Sequence, residues 1–275
     1  MPRRVQLSCV ALLLLVVACV AGPMLLQRDP TVIGDVLAQR FAAPLAIDAT
    51  GVWHLFGTDA FGRDVLARLL LAGRLSLLVG VAGAALSGLT GALLGVLAGW
   101  RAGWMDLLIT AAADMLQAIP RLVLLLACAA LWRPGIPTLV TVLALTGWMG
   151  VARLVRAEVQ GLVQRDFVAA ALALGASPKR LLALHVLPNA IAPVLVATTL
   201  GIGSAIMLES GLSFLGLGVQ PPSPSWGNMI AGGREHLVTA PWIALAPGLA
   251  VVITVTAATL IGDWLQERAA GQARG

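Results

Sequence analysis

The sequence predicts an all-α membrane protein with six transmembrane helices, and three observations carry that expectation. Hydrophobic residues fill 59% of the 275 positions and charged residues only 11%, whereas soluble globular chains hold about 45–50% and about 25%. Mean hydropathy is +0.93. Six apolar runs are long enough to cross a hydrocarbon core of about 30 Å, which takes roughly 20 helical residues. The spans must be helices, because a segment in lipid has to satisfy its own backbone hydrogen bonds and the alternation of barrel strands is absent.

Taken in order, the runs fall at 7–26, 75–99, 105–131, 136–155, 190–212 and 242–265. They divide the chain into an N-terminal span (1–26), an extracytoplasmic loop (27–73), a five-helix core (74–265) holding a long loop at 156–189, and a short tail (266–275). Basic residues set the orientation, since loops left in the cytoplasm are enriched in Lys and Arg. With the N-terminus inside, Arg3, Arg4, Arg101, Arg153, Arg156, Arg165, Lys179, Arg180, Arg268 and Arg274 are cytoplasmic. Arg28, Arg40, Arg63, Arg68, Arg74, Arg133 and Arg234 then face outward, mostly in one long loop where charge bias counts for less. Both termini are expected in the cytoplasm. The first run, with Arg3 and Arg4 ahead of it and Val16-Val17-Ala18-Cys19 inside it, also fits a secretory signal or lipoprotein leader.

The same residues exclude several function classes. A net charge of +5 and a pI near 10.4 come from scattered loop residues without interleaved aromatics, so no nucleic-acid partner is expected. Cys9, Cys19 and Cys128 sit in apolar runs, and His54, His185 and His236 lie far apart, so no metal or other cofactor is expected. Lys179, the only lysine, lies between Pro178 and Arg180. The phosphate-cradling Gly-Lys-Ser/Thr loop is therefore absent, and any ATP is bound by separate subunits. No catalytic residues are expected, and the chain is read as a non-enzyme.

Polar and small residues inside the spans are the candidates for function. In the second span Gly83, Ser87, Gly91, Gly95 and Gly99 recur every four residues and let another backbone approach closely, within the subunit or from a partner. In the third, Thr110, Asp114, Gln117 and Arg121 fall on one helical stripe, beside Pro120 as a kink. In the fifth, Gly201, Ala205, Glu209 and Ser213 form another stripe, with Glu209 as its acid. Asp114, Gln117, Arg121, Glu209 and Ser213 are the translocation-path candidates; interfacial or structural roles remain alternatives for each stripe.

Both long loops have turn chemistry. In the first, Gly57-Thr58-Asp59-Ala60-Phe61-Gly62-Arg63-Asp64 offers glycines for tight turns, with Thr58 and Asp59 able to cap a helix. In the second, Gly175 is expected to end a helix in a left-handed cap, Ser177 to cap the next, Pro178 to suit its first turn and Pro188 to stop it. That pattern describes a cytoplasmic helix-turn-helix.

The second loop also carries a resemblance. The segment FVAAALALGASPKRLLALHVLPN from Phe167 resembles the cytoplasmic loop signature of ABC importer permeases, with Ala170, Ala171, Gly175, Leu187 and Pro188 at the family's spacing and Asn189 following. Ala169 stands where that pattern often has Glu, which puts a Glu-mediated ATPase contact in doubt. HLFGTDAFGRDVLARLL from His54 and LESGLSFLGLGVQPPSPSWGNMI from Leu208 are similar to the dipeptide, oligopeptide and nickel permeases, in particular their C-type subunit.

That resemblance implies a MetI-like fold in the bacterial cytoplasmic (inner) membrane. It also implies a second, distinct permease forming a heterodimer, two cytoplasmic ATP-binding subunits and an extracytoplasmic solute-binding protein. Ala170, Ala171, Gly175, Ala176, Ser177, Leu187, Pro188 and Asn189 become the ATPase-coupling residues, and the cargo a peptide, nickel or a related small solute. Two alternatives stand beside this reading: an ion-driven carrier with Asp114, Arg121 and Glu209 as its relay, and a membrane scaffold.

Overall fold

A computed structural model describes residues 1–26, 36–48, 51–101 and 103–272. Arg28 and Arg274, counted in the charge bias, lie outside the described residues. Among the described residues eleven α-helices and one hairpin follow each other. They are α1 (Arg3–Leu25), α2 (Val36–Gln39), β1 (Ala46–Ile47), β2 (Trp53–His54), α3 (Val65–Trp100), α4 (Trp104–Gln117), α5 (Arg121–Leu131), α6 (Ile136–Val163), α7 (Asp166–Ala173), α8 (Pro178–Leu181), α9 (Leu187–Phe214), α10 (Trp226–Gly233) and α11 (Trp242–Gln272). Among the described residues five continuous segments are long and apolar enough to span a membrane, and α4 with α5 makes a sixth if the pair, bent by 90°, is one span.

That bend corrects the reading of the third span as one helix. Pro120 has no N–H and excludes helical geometry at Ile119, so the run stops at Gln117 and restarts at Arg121. Arg121 therefore does not share a stripe with Thr110, Asp114 and Gln117.

The second span also differs from expectation. It begins at Val65, because Arg68 and Arg74 interrupt the apolar run without interrupting the helix. Asp64, and not Thr58 or Asp59, is its cap, accepting from the amide of Ala67 at 2.8 Å. Asp59 instead folds a turn, accepting from the amides of Phe61 (2.9 Å) and Arg63 (3.0 Å) and from Arg63 Nε (2.7 Å). Gly57 and Gly62 take the left-handed φ values of 70° and 73° that this turn demands. In the β1–β2 hairpin, where Ala46 faces His54, the buried His54 sits between Asp64 (Nδ1 to Oδ2, 2.8 Å) and Asp48 (Nε2 to Oδ2, 3.5 Å).

Arg74 explains how α1 docks. Pro23 supplies no N–H to the carbonyl of Cys19, one turn earlier, and Arg74 Nε donates to that carbonyl at 2.9 Å while its Nη2 reaches the carbonyl of Val20.

Three apolar clusters hold the bundle. At the hairpin end Cys19, Val65, Leu69, Ile206, Trp226 and Met229 pack together. In the middle Val79, Leu125, Leu139, Leu143, Ala205 and Leu212 join α3, α5, α6 and α9. At the opposite end Val155, Val159 and Leu162 receive Val168, Leu181 and Val186.

The glycine ladder makes the tightest seam. A Cβ built on Gly83 would sit 3.0 Å from Leu143 Cβ, on Gly91 2.7 Å from the carbonyl oxygen of Trp148, and on Gly99 2.9 Å from that of Arg156. Ser87 lies in the same row and donates to the carbonyl of Leu143 at 3.0 Å. The ladder thus faces α6 of the same subunit, where small residues let two backbones touch.

Candidate translocation and coupling sites

At the α7 end the chain builds a compact turn. The amide of Gly175 donates to the carbonyl of Leu172 and that of Ala176 to the carbonyl of Ala171, both at 3.0 Å, with Gly175 at φ 85°. This is the paired closing pattern of a Schellman cap, which needs a residue at ease in left-handed geometry. Ser177 then caps α8 through the amide of Arg180, at 3.4 Å.

Pro188 does not stop the helix as expected. α8 runs through a π-helical turn, Leu182–Val186, directly into α9. The amide of Leu187 reaches back five residues to the carbonyl of Leu182. This one-residue widening lets Pro188 sit in the first turn of α9, where no N–H is needed. The element is therefore one short helix, α7, turned back onto a rod that continues through the bundle.

Its anchoring is one-sided. Val168, Leu181 and Val186 are buried against α6, while Ala170, Gly175, Ser177, Leu187, Pro188 and Asn189 are exposed and Ala171 and Ala176 half-buried. Asn189 Nδ2 donates to the carbonyl of His185 at 2.5 Å. Leu174, 89% exposed, stands at the tip of the turn with Phe167 and Leu172 also open.

Inside the bundle the two stripes part company. Glu209 is fully buried. Ser76 donates to its Oε2 at 2.9 Å and Ser213 to its Oε1 at 2.7 Å. The cage extends outward: Ser76 Oγ accepts from the amide of Trp226 and Ser213 Oγ from that of Val219, each at 3.2 Å. Glu209 and Ser213 thus tie α9 to α3 and to the start of α10, and in this conformation neither borders open space.

Arg121 does border open space. An open cleft of about 290 Å3 lies between α3, α6 and α9, bounded by Ser87, Arg121, Gly147, Thr198, Gly201 and Ser204. Asp114 and Gln117 are exposed on α4, away from this lining. Asp114 pairs instead with Arg153 of α6.

A model of the family described as the binding-protein-dependent transport system inner membrane component matches residues 91–271, from the glycine seam through the α7–α8 turn and the cleft to the last span. The chain belongs to this family. As a multi-pass membrane permease it is similar over most of its length to two named relatives. It is 38% identical to the di/tripeptide transport system permease protein DppC of Pseudomonas aeruginosa, over 93% of this chain and 84% of the relative. It is 40% identical to the dipeptide transport system permease protein DppC of Alkalihalophilus pseudofirmus, over 78% and 70%. Its fold matches a chain of the MetNI methionine ABC transporter, solved in inward-facing conformations. The TM-score is 0.52 at 19% identity, covering 72% of this permease and 96% of that chain.

Sequence reasoning missed the ion pairs that fix α4 in the permease. Arg156 grips Asp106 with two donors, Nη2 reaching Oδ2 at 2.7 Å, and Gln160 adds a 3.5 Å contact. Asp106 and Asp114 lie eight residues apart on α4, yet their partners Arg156 and Arg153 are only three apart on α6, so α4 crosses α6 obliquely. The signal lay in matched acids and arginines on consecutive spans, and no single-helix periodicity exposes such a pair.

Proposed function

We propose that this permease is one of two dissimilar membrane subunits of an ATP-driven importer that carries peptides or a related small solute inward across the bacterial cytoplasmic membrane. Two cytoplasmic subunits bind and hydrolyse the ATP. An extracytoplasmic binding protein delivers the cargo, chiefly to the face made by the hairpin and turn ahead of α3. Both termini and the 156–189 segment lie in the cytoplasm. The peptide assignment rests on what the relatives' names say they transport.

The observation that carries the reading is the α7–α8 element. It is exposed on one side, buried on the other against α6, and continuous with α9, so a push on Leu174 and its neighbours is delivered to a whole spanning rod. ATP-driven closure of the companion subunits would displace that rod and shift the bundle between outward-open and inward-open states, each ligand acting through its differential affinity for the two. Ala170, Ala171, Gly175, Ala176 and Ser177 shape the docking turn. Leu187, Pro188 and Asn189 set how the rod leaves it.

Among the path candidates, Arg121 has the cleft's support. Asp114 and Gln117 lie on the exposed face of α4, where the second permease would pack. Glu209 and Ser213 serve the path by holding α3, α9 and α10 together.

The test is reconstitution of the five-subunit importer in proteoliposomes. Uptake should require ATP and both ATP-binding subunits, and Gly175→Val, which forces a β-branched residue into left-handed geometry at a cost of about 1–3 kcal/mol, should lower binding-protein-stimulated ATP hydrolysis severalfold. Uptake that persists without the ATP-binding subunits would favour an ion-coupled carrier instead.

A further inference from the structure

The cleft between α3, α6 and α9 holds a charge with no counter-ion among the described residues. Among the described residues seven ion pairs connect other groups, and Arg121 belongs to none of them. It is also, among the described residues, the only ionisable side chain of the cleft lining. The rest of that wall is uncharged, with Ser87, Thr198 and Ser204 as its hydroxyls among small residues and the apolar Leu143, Val151 and Leu200.

The depth of the cleft makes this unusual. Gly147 lies eleven residues into the 28-residue α6, about 16 Å along a helix about 42 Å long at 1.5 Å per residue. Gly201 and Ser87 are similarly central in α9 and α3. An arginine there is costly unless it faces water or a partner, and it marks a solute pathway more often than a packing site. Its position is enforced by the chain, because the break at Pro120 puts Arg121 at the first residue of α5, turned by 90° from α4.

The neighbouring glycine keeps the guanidinium free to be approached. A Cβ on Gly147 would stand 3.4 Å from Arg121 Nη2 and 2.2 Å from Ser87 Oγ, so any side chain at 147 would crowd both. A guanidinium stays charged at any physiological pH and offers a planar fork of donors that fits a carboxylate with two parallel hydrogen bonds. Such charge-assisted bonds are stronger than neutral ones.

We propose that Arg121 binds a carboxylate of the cargo during passage, the C-terminal carboxylate when the cargo is a peptide. This rests on the importer reading above and names the chemical group that the path recognises. The bond has to be transient. Thr198 and Ser204 supply alternative donors along the wall, so the carboxylate can leave the fork without returning to bulk water.

The test uses the complete importer and site-resolved arginine labelling with phenylglyoxal, read by mass spectrometry. A millimolar dipeptide with a free C-terminus should slow modification of Arg121 severalfold, and its C-terminal amide should not. Because the probe is added directly, the preferences of the binding protein do not enter. In the same preparation Arg121→Gln should lower uptake of the free acid about tenfold, the loss of one charge-assisted pair, and Arg121→Lys should recover part of it. Yield and melting temperature of the complex should stay at wild-type values in both variants.

Equal protection by acid and amide, or none by either, overturns the proposal. So does an Arg121 that resists the reagent without peptide, or an Arg121→Gln complex that fails to assemble, because each makes the guanidinium a structural partner of the second permease. Absence of peptide uptake by the wild-type importer is a different result: it defeats the cargo assignment, whereas the labelling contrast addresses Arg121 alone.

Discussion

Replacing Gly95 by alanine puts a methyl group into the narrowest part of the α3–α6 seam. The new Cβ would lie 2.6 Å from the carbonyl oxygen of Ala152 and 2.8 Å from Val155 Cβ. Carbon–oxygen contacts settle near about 3.3 Å and carbon–carbon contacts near about 3.5–4.0 Å, so the helices must part by roughly 0.7 Å. The obstacle is backbone, which no rotamer change removes. Overpacking of this kind costs about 1–3 kcal/mol, and the better helix propensity of alanine returns about 1 kcal/mol. A net loss of up to about 2 kcal/mol remains.

Gly161, on the same partner helix α6, is the control. A Cβ there meets nothing within 4 Å, so Gly161→Ala keeps only the propensity gain of up to about 1 kcal/mol. Thermal unfolding of the purified complex in detergent, followed by intrinsic tryptophan fluorescence, should show the two alanines moving the transition in opposite directions. Equal shifts of the same sign would refute the inference that the ladder is a backbone contact.

Other expectations follow from individual hydrogen bonds. Glu209→Ala strips Ser76 and Ser213 of their acceptor and leaves a cavity, a loss of about 3–5 kcal/mol, visible as poor complex yield. Glu209→Gln keeps an acceptor and a donor in place and should assemble. A Glu209→Ala complex of normal yield that fails only in transport would move Glu209 onto the path. Arg74→Met orphans the carbonyl of Cys19 beside Pro23, which costs about 1–3 kcal/mol. Limited proteolysis should then release α1 faster than in wild type, and an unchanged digestion rate would show that another group satisfies that carbonyl.

Much of the fold was legible because hydrophobic length is a one-dimensional property. The existence of six apolar runs, the four-residue ladder from Gly83 to Gly99 and the left-handed cap at Gly175 all depend on neighbours in sequence, and the ladder and the cap lie where the pattern placed them. What the sequence left hidden depended on distant partners. The helical start at Val65 was masked by Arg68 and Arg74, whose charges read as loop until their partners Asp59 and the carbonyls of α1 are known. Pro188 read as a stop because the π-helical turn that accommodates it has no composition signature. Pro120 was legible as a kink, but a right-angle break that severs Arg121 from the α4 stripe follows only once α5 packs along α6. Glu209 stood out as the acid of its span, and only the three-dimensional meeting with Ser76, 133 residues away, separates a cage from a pathway.

The central claim is that the α7–α8 turn faces the cytoplasm and docks onto ATP-binding subunits. A single cysteine at Ser177, in a background where Cys9, Cys19 and Cys128 are replaced by serine or alanine, tests it most directly with a membrane-impermeant maleimide. The account predicts labelling in inverted vesicles, none in intact right-side-out vesicles, and protection when the ATP-binding subunits are added to the inverted ones. Labelling from the outside, or labelling from the inside that the ATP-binding subunits leave untouched, would contradict it.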